Sequence, residues 1–189
     1  MSETVRTFIA IEMPPPVREF LDRCQERLRR AGGDVRWVRT DLVHLTLVFL
    51  GNVAADEISA LTDAVREAAS SAGPMTLQVT GVGRFPPTGR PRVVWIGVEE
   101  PTGMLVALQK RLVEATTAFA EKVEKREYRP HLTLGRVRGG DLRPLAAAIE
   151  EMAEAKGPTF DATEVIIMES RLAPKGPEYT PLAHVPLSG

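Results

Sequence analysis

The sequence predicts an α+β protein of two similar lobes related by a pseudo-twofold, each an antiparallel sheet with helices on the outside, the two uncovered sheet faces meeting across a central cleft. Three observations predict it. Strand-length apolar runs and helical stripes follow one another in an order that occurs twice along the chain. The tetrapeptide His-Leu-Thr-Leu stands at His44–Leu47 and again at His131–Leu134, 87 positions later. At that same offset Ile9 matches Ile96, Glu12 matches Glu99, Pro14 matches Pro101 and Leu21 matches Leu108, the self-similarity expected of an internal duplication. The repeat units run from about 7 to 83 and from about 92 to 186 within one domain, 1–189, and strands exchanged between the lobes are compatible with this order.

Thr7–Ile11 forms the first strand, and Pro14, Pro15 and Pro16 turn the chain into a new element. Val17, Phe20, Leu21, Cys24 and Leu28 recur at three and four residues, which predicts a helix from Val17 to Arg30, stopped by Gly32-Gly33. Val35–Val38 is extended, and His44–Leu50 is a strand that ends at Gly51-Asn52. Ile58, Leu61, Val65 and Ala68 place a helix over Asp56–Ala72, and strands follow at Met75–Val82 and Arg92–Val98. In the second copy Leu105, Leu108, Leu112 and Val113 give a helix after Pro101, Tyr128–Val137 a strand and Leu142–Ala155 a helix. Thr159–Glu169 and Tyr179–Val185 close with strands.

With 43% hydrophobic and 26% charged residues, 189 residues suffice for a buried core. The formal net charge of −1 excludes recruitment of a long polyanion by an overall positive field, so any nucleic-acid contact has to be local. A single cysteine, Cys24, excludes an intramolecular disulfide, and no apolar run is long enough to cross a bilayer. Met1-Ser2-Glu3-Thr4-Val5-Arg6 has neither the apolar stretch nor the cleavage site of a signal peptide, so a cytoplasmic protein is expected.

Side chains alternate along a strand, so His44 and Thr46 share one face while Leu45, Leu47 and Phe49 are expected to point into the core. His131 and Thr133 stand in the same relation to Leu132 and Leu134. Two imidazoles can divide acid and base work near neutral pH, one accepting a proton while the other gives one up. Cleavage of a phosphodiester needs that division, because the nucleophile loses a proton on one side of phosphorus as the leaving oxygen gains one on the other. The hydroxyls of Thr46 and Thr133 are suited to the non-bridging oxygens, where charge gathers in the transition state. A duplicated pair is a different matter from a lone histidine, for which a structural role is the ordinary reading.

The doubled His-Leu-Thr-Leu resembles the paired His-x-Thr-x motif of the two-histidine (2H) phosphoesterase superfamily. More narrowly, the chain is similar to the RNA 2′,3′-cyclic phosphodiesterases, also described as 2′-5′ RNA ligase-like proteins. The likeness extends over Phe8–Ile11, Trp37, Leu50-Gly51, Arg92–Val98, Glu169–Leu172 and Tyr179–Leu182. The resemblance implies an enzyme that opens a cyclic phosphate to a 2′-phosphate end without metal or other cofactor. It implies His44 as proton donor to the leaving O3′, His131 as proton acceptor from water, and Arg136 as a phosphate contact. Strict alternation sets Arg136 on the leucine face, and a bulge or strand end at Gly135 is what could bring it round.

The partner expected is RNA with a 2′,3′-cyclic phosphate terminus, met by a monomer that binds no membrane. Reversible 2′-5′ joining of RNA ends and non-catalytic binding of an RNA end are the alternatives. Arg84, Arg90 and Arg92 flank a loop with Phe85, Pro86 and Pro87 that could hold RNA phosphate, or be merely solvated. Trp37 and Trp95 are expected to pack within the lobes, Tyr179 fits either packing or stacking, and His184, with Pro186 in place of a threonine, is not expected to be catalytic. No clustered His, Cys or acidic motif has metal-ligand spacing, and neither a glycine-rich phosphate loop nor a nucleotidyl-accepting lysine motif is visible.

Overall fold

The computed structural model describes residues 3–122, 124, 126–174 and 176–189, so Met1 and Ser2 of the N-terminal stretch lie outside it. Nine strands and four helices are formed by the described residues: β1 (Thr4–Glu12), α1 (Pro15–Arg30), β2 (Asp34–Trp37), β3 (His44–Ala54), α2 (Ile58–Ala69), β4 (Met75–Phe85), β5 (Val93–Glu99), α3 (Met104–Thr116), β6 (His131–Gly139), α4 (Arg143–Glu151), β7 (Thr159–Ala162), β8 (Glu164–Ala173) and β9 (Gly176–Pro186). They make two antiparallel sheets, ordered β3-β1-β8-β9 and β2-β6-β5-β4-β7.

The helices form where the apolar stripes lie. Val17, Leu21, Cys24 and Leu28 are the buried face of α1, Leu61, Val65, Ala68 and Ala69 that of α2, and Leu105, Leu108 and Leu112 that of α3. Pro15 and Pro16 open α1, where a missing N–H costs nothing. The α2 and α3 helices pack together against β9 and β3, while α1 and α4 pack together with α4 against β4. Leu45, Leu77, Leu132 and Leu134 are fully buried under them, each such side chain contributing roughly 1.5–3 kcal/mol.

Strands cross between the halves. The last strand of the first repeat, β4, pairs with β5 of the second, and β8 of the second repeat pairs with β1 of the first. The run Thr159–Glu169 is not one strand as expected. It breaks at Thr163, and its pieces serve different sheets, β7 beside β4 and β8 beside β1. The second helix starts two residues later and ends three earlier than its stripe suggested, α4 stops at Glu151, and the strand expected from Tyr128 begins at His131.

Both motif strands are bulged at the same residue. In β3 the partner of Ile9 is Val48 and that of Ala10 is Thr46, so Leu47 is extra. In β6 the partner of Val94 is Gly135 and that of Trp95 is Thr133, so Leu134 is extra. A bulge resets the alternation beyond it, which corrects the expectation for Phe49: it does not enter the core but is 48% exposed. The strict offset of 87 also fails in β1 and β5. Thr46 faces Ala10, whereas Thr133 faces Trp95 rather than Gly97, a slip of two residues that keeps every side chain on its face.

Candidate active site

β3 and β6 approach each other across the space between the sheets. The Tyr128 hydroxyl, three residues ahead of His131, donates to the Thr46 carbonyl at 3.1 Å and so ties the two motifs directly. Burial pushes that hydroxyl far above its ordinary pKa, so it stays a donor. The Leu134 carbonyl at one bulge accepts from Gln25 Nε2 at 3.0 Å, and the Leu47 carbonyl at the other accepts from Gln109 Nε2 at 3.3 Å. Gln25 sits on α1 and Gln109 on α3, so each helix sends a glutamine to the bulge above it.

Between the strands lies a cavity of about 850 Å³, lined among others by Thr46 and Phe49 from β3, Phe85 and Arg92, and His131, Thr133 and Arg136 from β6. Thus four of the five residues singled out from the sequence border one space. His44 is not among its lining residues; it stands two residues from Thr46, against Phe8 and Tyr179. The bulge at Leu134 settles the phase of Arg136, which joins His131 and Thr133 on the cavity side. Its counterpart 87 residues earlier, Phe49, borders the same cavity, with the Arg6 guanidinium 5.0 Å over its ring.

Each imidazole is held in the same way. His44 Nδ1 lies 2.9 Å from the Leu42 carbonyl and His131 Nδ1 lies 2.6 Å from the Arg129 carbonyl, both two residues back. A carbonyl only accepts, so Nδ1 carries hydrogen in both rings, and Nε2 is left to accept or donate elsewhere. Neither Nε2 has a partner among the described residues, nor has the hydroxyl of Thr46 or Thr133.

The surroundings of the rings differ. His44 stacks on Phe8 with centroids 4.6 Å apart and meets the Tyr179 ring edge-on at 5.1 Å. Desolvation there lowers its pKa below the ordinary imidazole value, with the Leu42 bond opposing. His131 meets Phe85 edge-on at 5.1 Å and lies 6.2 Å from Trp95. Gly83 makes room for Trp95, since a side chain there would collide with its ring. Burial raises the Tyr179 pKa, against the pull of Arg136 and Arg6, so two guanidinium groups from different sheets lie near one phenol.

Sequence reasoning did not find Arg6, Phe49 or Tyr128 as site residues. Arg6 and Phe49 needed the bulges of β3 to be known, and Tyr128 a contact between segments 82 residues apart. Trp37 packs against the core under Arg29, and His184 is exposed on β9, paired with Glu164 at 3.1 Å and away from the cavity. Arg92 borders the cavity but Arg84 and Arg90 do not. Among the described residues no three His, Cys, Asp or Glu side chains gather as metal ligands would, and no helix is long and apolar enough to cross a membrane.

The description of the 2′-5′ RNA ligase superfamily matches residues 13–173. The chain belongs to that superfamily. A relative from Methanothermobacter thermautotrophicus, named RNA 2′,3′-cyclic phosphodiesterase, is 34% identical over 177 residues, which cover 93% of this chain and 95% of that one. Among solved structures, TT0787 of Thermus thermophilus superposes with a TM-score of 0.82 at 26% identity, covering 97% of this chain and 98% of that chain. LigT of Escherichia coli, solved with 3′-AMP, superposes with a TM-score of 0.78 at 27% identity, covering 99% and 100%.

Proposed function

We propose that this superfamily member is an RNA 2′,3′-cyclic phosphodiesterase, which hydrolyses the cyclic phosphate terminus of RNA to a 2′-phosphomonoester. His44 gives a proton to the leaving O3′ and His131 takes one from the attacking water. Thr46, Thr133 and Arg136 hold the non-bridging oxygens, with the two hydroxyls donating and the guanidinium balancing charge as it builds on phosphorus. The chain works as a single domain of two pseudo-symmetric halves, 7–83 and 92–186, as a cytoplasmic monomer and without a metal.

The observation that carries this reading is the matched orientation of the two rings. Both have Nδ1 on a carbonyl two residues back and Nε2 without a partner among the described residues, which is what a pair of proton carriers requires and a pair of structural histidines does not. The names of the relatives point to the same substrate. Joining a 5′-hydroxyl to the cyclic end through a 2′-5′ bond uses the same two proton transfers with the 5′-hydroxyl in place of water, and the superfamily's description gives that reading its place as the second.

The test is incubation of the protein with a cyclic-phosphate oligoribonucleotide in EDTA. The expected product is the 2′-phosphate end, and His44→Ala and His131→Ala each lose about 10²–10⁴-fold in rate. Full rate in either variant would end the paired roles, and loss of turnover in EDTA that added metal restores would end the metal-free one. A 5′-hydroxyl strand included in the same reaction separates hydrolysis from joining.

A further inference from the structure

We infer that RNA lying 5′ of the cyclic end follows a track of arginines that leaves the cleft along the five-stranded sheet and ends in a second depression behind its rim. The inference rests on the reading of the cleft as a site for an RNA end. Across the cleft face of that sheet one row of paired residues reads Phe85, Val93, Arg136, Arg36, from β4 through β5 and β6 to β2. Arg136 borders the cavity, so Arg36, its direct partner on the neighbouring strand, carries the positive charge outward on the same face.

The β4–β5 connection bends round the end of this row. Within it Arg90-Pro91-Arg92 has one arginine in each of two depressions: Arg92 borders the cleft, while Arg90 lines a second hollow of about 400 Å³ with Arg84, Asp141 and Arg143. The two α-carbons are at most about 7 Å apart along the chain, so the hollow is the immediate continuation of the cleft over its rim. The Arg90 guanidinium lies over Gly139 at the end of β6, 4.0 Å from where a side chain would begin.

The charge on this edge is free. Eight arginines among the described residues have a carboxylate within 4.0 Å. Arg36, Arg84, Arg90, Arg92, Arg136 and Arg138, all on β2, β4, β6 or the β4–β5 connection, have none. Arg84 bonds the Gly89 carbonyl at 3.1 Å, and the acids nearby are Asp141, engaged by Arg143, and Asp34 at the start of β2. In a chain of net charge −1 this edge is a concentrated positive field. Guanidinium forks suit phosphate, and a cleft that holds a terminal phosphodiester puts the next phosphates of the same strand beside them.

The experiment compares kcat/KM for a cyclic mononucleotide and for a cyclic-ended oligoribonucleotide of about 10 nucleotides, at salt between about 50 and 200 mM, in the wild type and in R84A/R90A. The variant is expected to keep the wild-type rate on the mononucleotide. On the oligomer its log–log salt slope is expected to be shallower by about 1.4, which is two single-strand contacts and roughly sevenfold over that range. R84K/R90K, which keeps the charge, restores the slope. Wild-type slope and oligomer rate in R84A/R90A would overturn the track. If no protein turns over either substrate, the reading of the cleft has failed instead. Fluorescence anisotropy with the same oligomer then decides the track alone, weaker and less salt-dependent binding by R84A/R90A upholding it and unchanged binding refuting it.

Discussion

Each imidazole is oriented by a bond to its own chain, so the ring's tautomer does not depend on the rest of the cleft. What distinguishes His44 from His131 is the wall behind the ring, Phe8 and Tyr179 for the first and Phe85 and Trp95 for the second. Burial favours the neutral form of His44 and sets its pKa below the ordinary imidazole value. As proton donor, His44 has to be charged in the free enzyme. Its charged fraction falls as pH rises through its own pKa, so one limb of kcat/KM is expected below about 6.5. Following the Cε1 proton of His44 by NMR gives the pKa to compare. Coincidence with either limb supports a proton at His44 that the reaction uses, and a profile with no limb at that pKa contradicts it. A second contrast lies at Phe49 and Arg136, equivalent positions beyond equivalent bulges, where one half presents an aromatic ring and the other a guanidinium to the same cavity. One wall therefore suits sugar or base and the other phosphate.

The bulges are the elements that set the cleft's lining. Each adds a residue to a motif strand, and the carbonyl of that residue, Leu47 or Leu134, is met by a glutamine from below. Gln25 is 1% exposed and its amide also donates to the Val38 carbonyl at 2.7 Å. Gln25→Leu is expected to cost about 1–3 kcal/mol in a denaturant melt, because it strips a partner from two carbonyls in the interior. It should also lower kcat for the cyclic end, since Thr133 and Arg136 flank the bulge. The helices and the motif strands were legible in the sequence because their signals are local: Leu21, Cys24 and Leu28 recur at helical spacing and His44 and Thr46 at strand spacing. An extra residue in a strand leaves no such trace, so period-two counting sent Phe49 to the wrong face and left Arg136 undecided. The break at Thr163 was hidden for a related reason. Thr159–Glu169 has the composition of one continuous strand, and only its two sets of partners reveal that the chain changes sheets.

At the scale of the molecule, neither half supplies its own sheet. β4 lies between β5 and β7, and β8 lies between β1 and β9, so each sheet needs strands from both repeats. The fragments 1–88 and 89–189 are therefore expected to be insoluble when made singly and to reassemble into an active pair when made together, as read by gel filtration and turnover. Soluble, folded fragments would contradict the interdependence of the sheets. The whole-chain charge of −1 says little about the surface, because, Asp141 with Arg143 apart, the carboxylates paired with arginines lie away from the edge where six guanidinium groups stand without one. The crossing of β4 and β8 also bears on ancestry. Two copies of one half, each lending the strand equivalent to β4 or β8 to the other, would close the same cleft as an isologous dimer, with a histidine facing its own symmetry mate. Joining the copies in one gene released the two positions from identity, and Phe49 opposite Arg136, like Ala10 opposite Trp95, records what a symmetric ancestor could not have had.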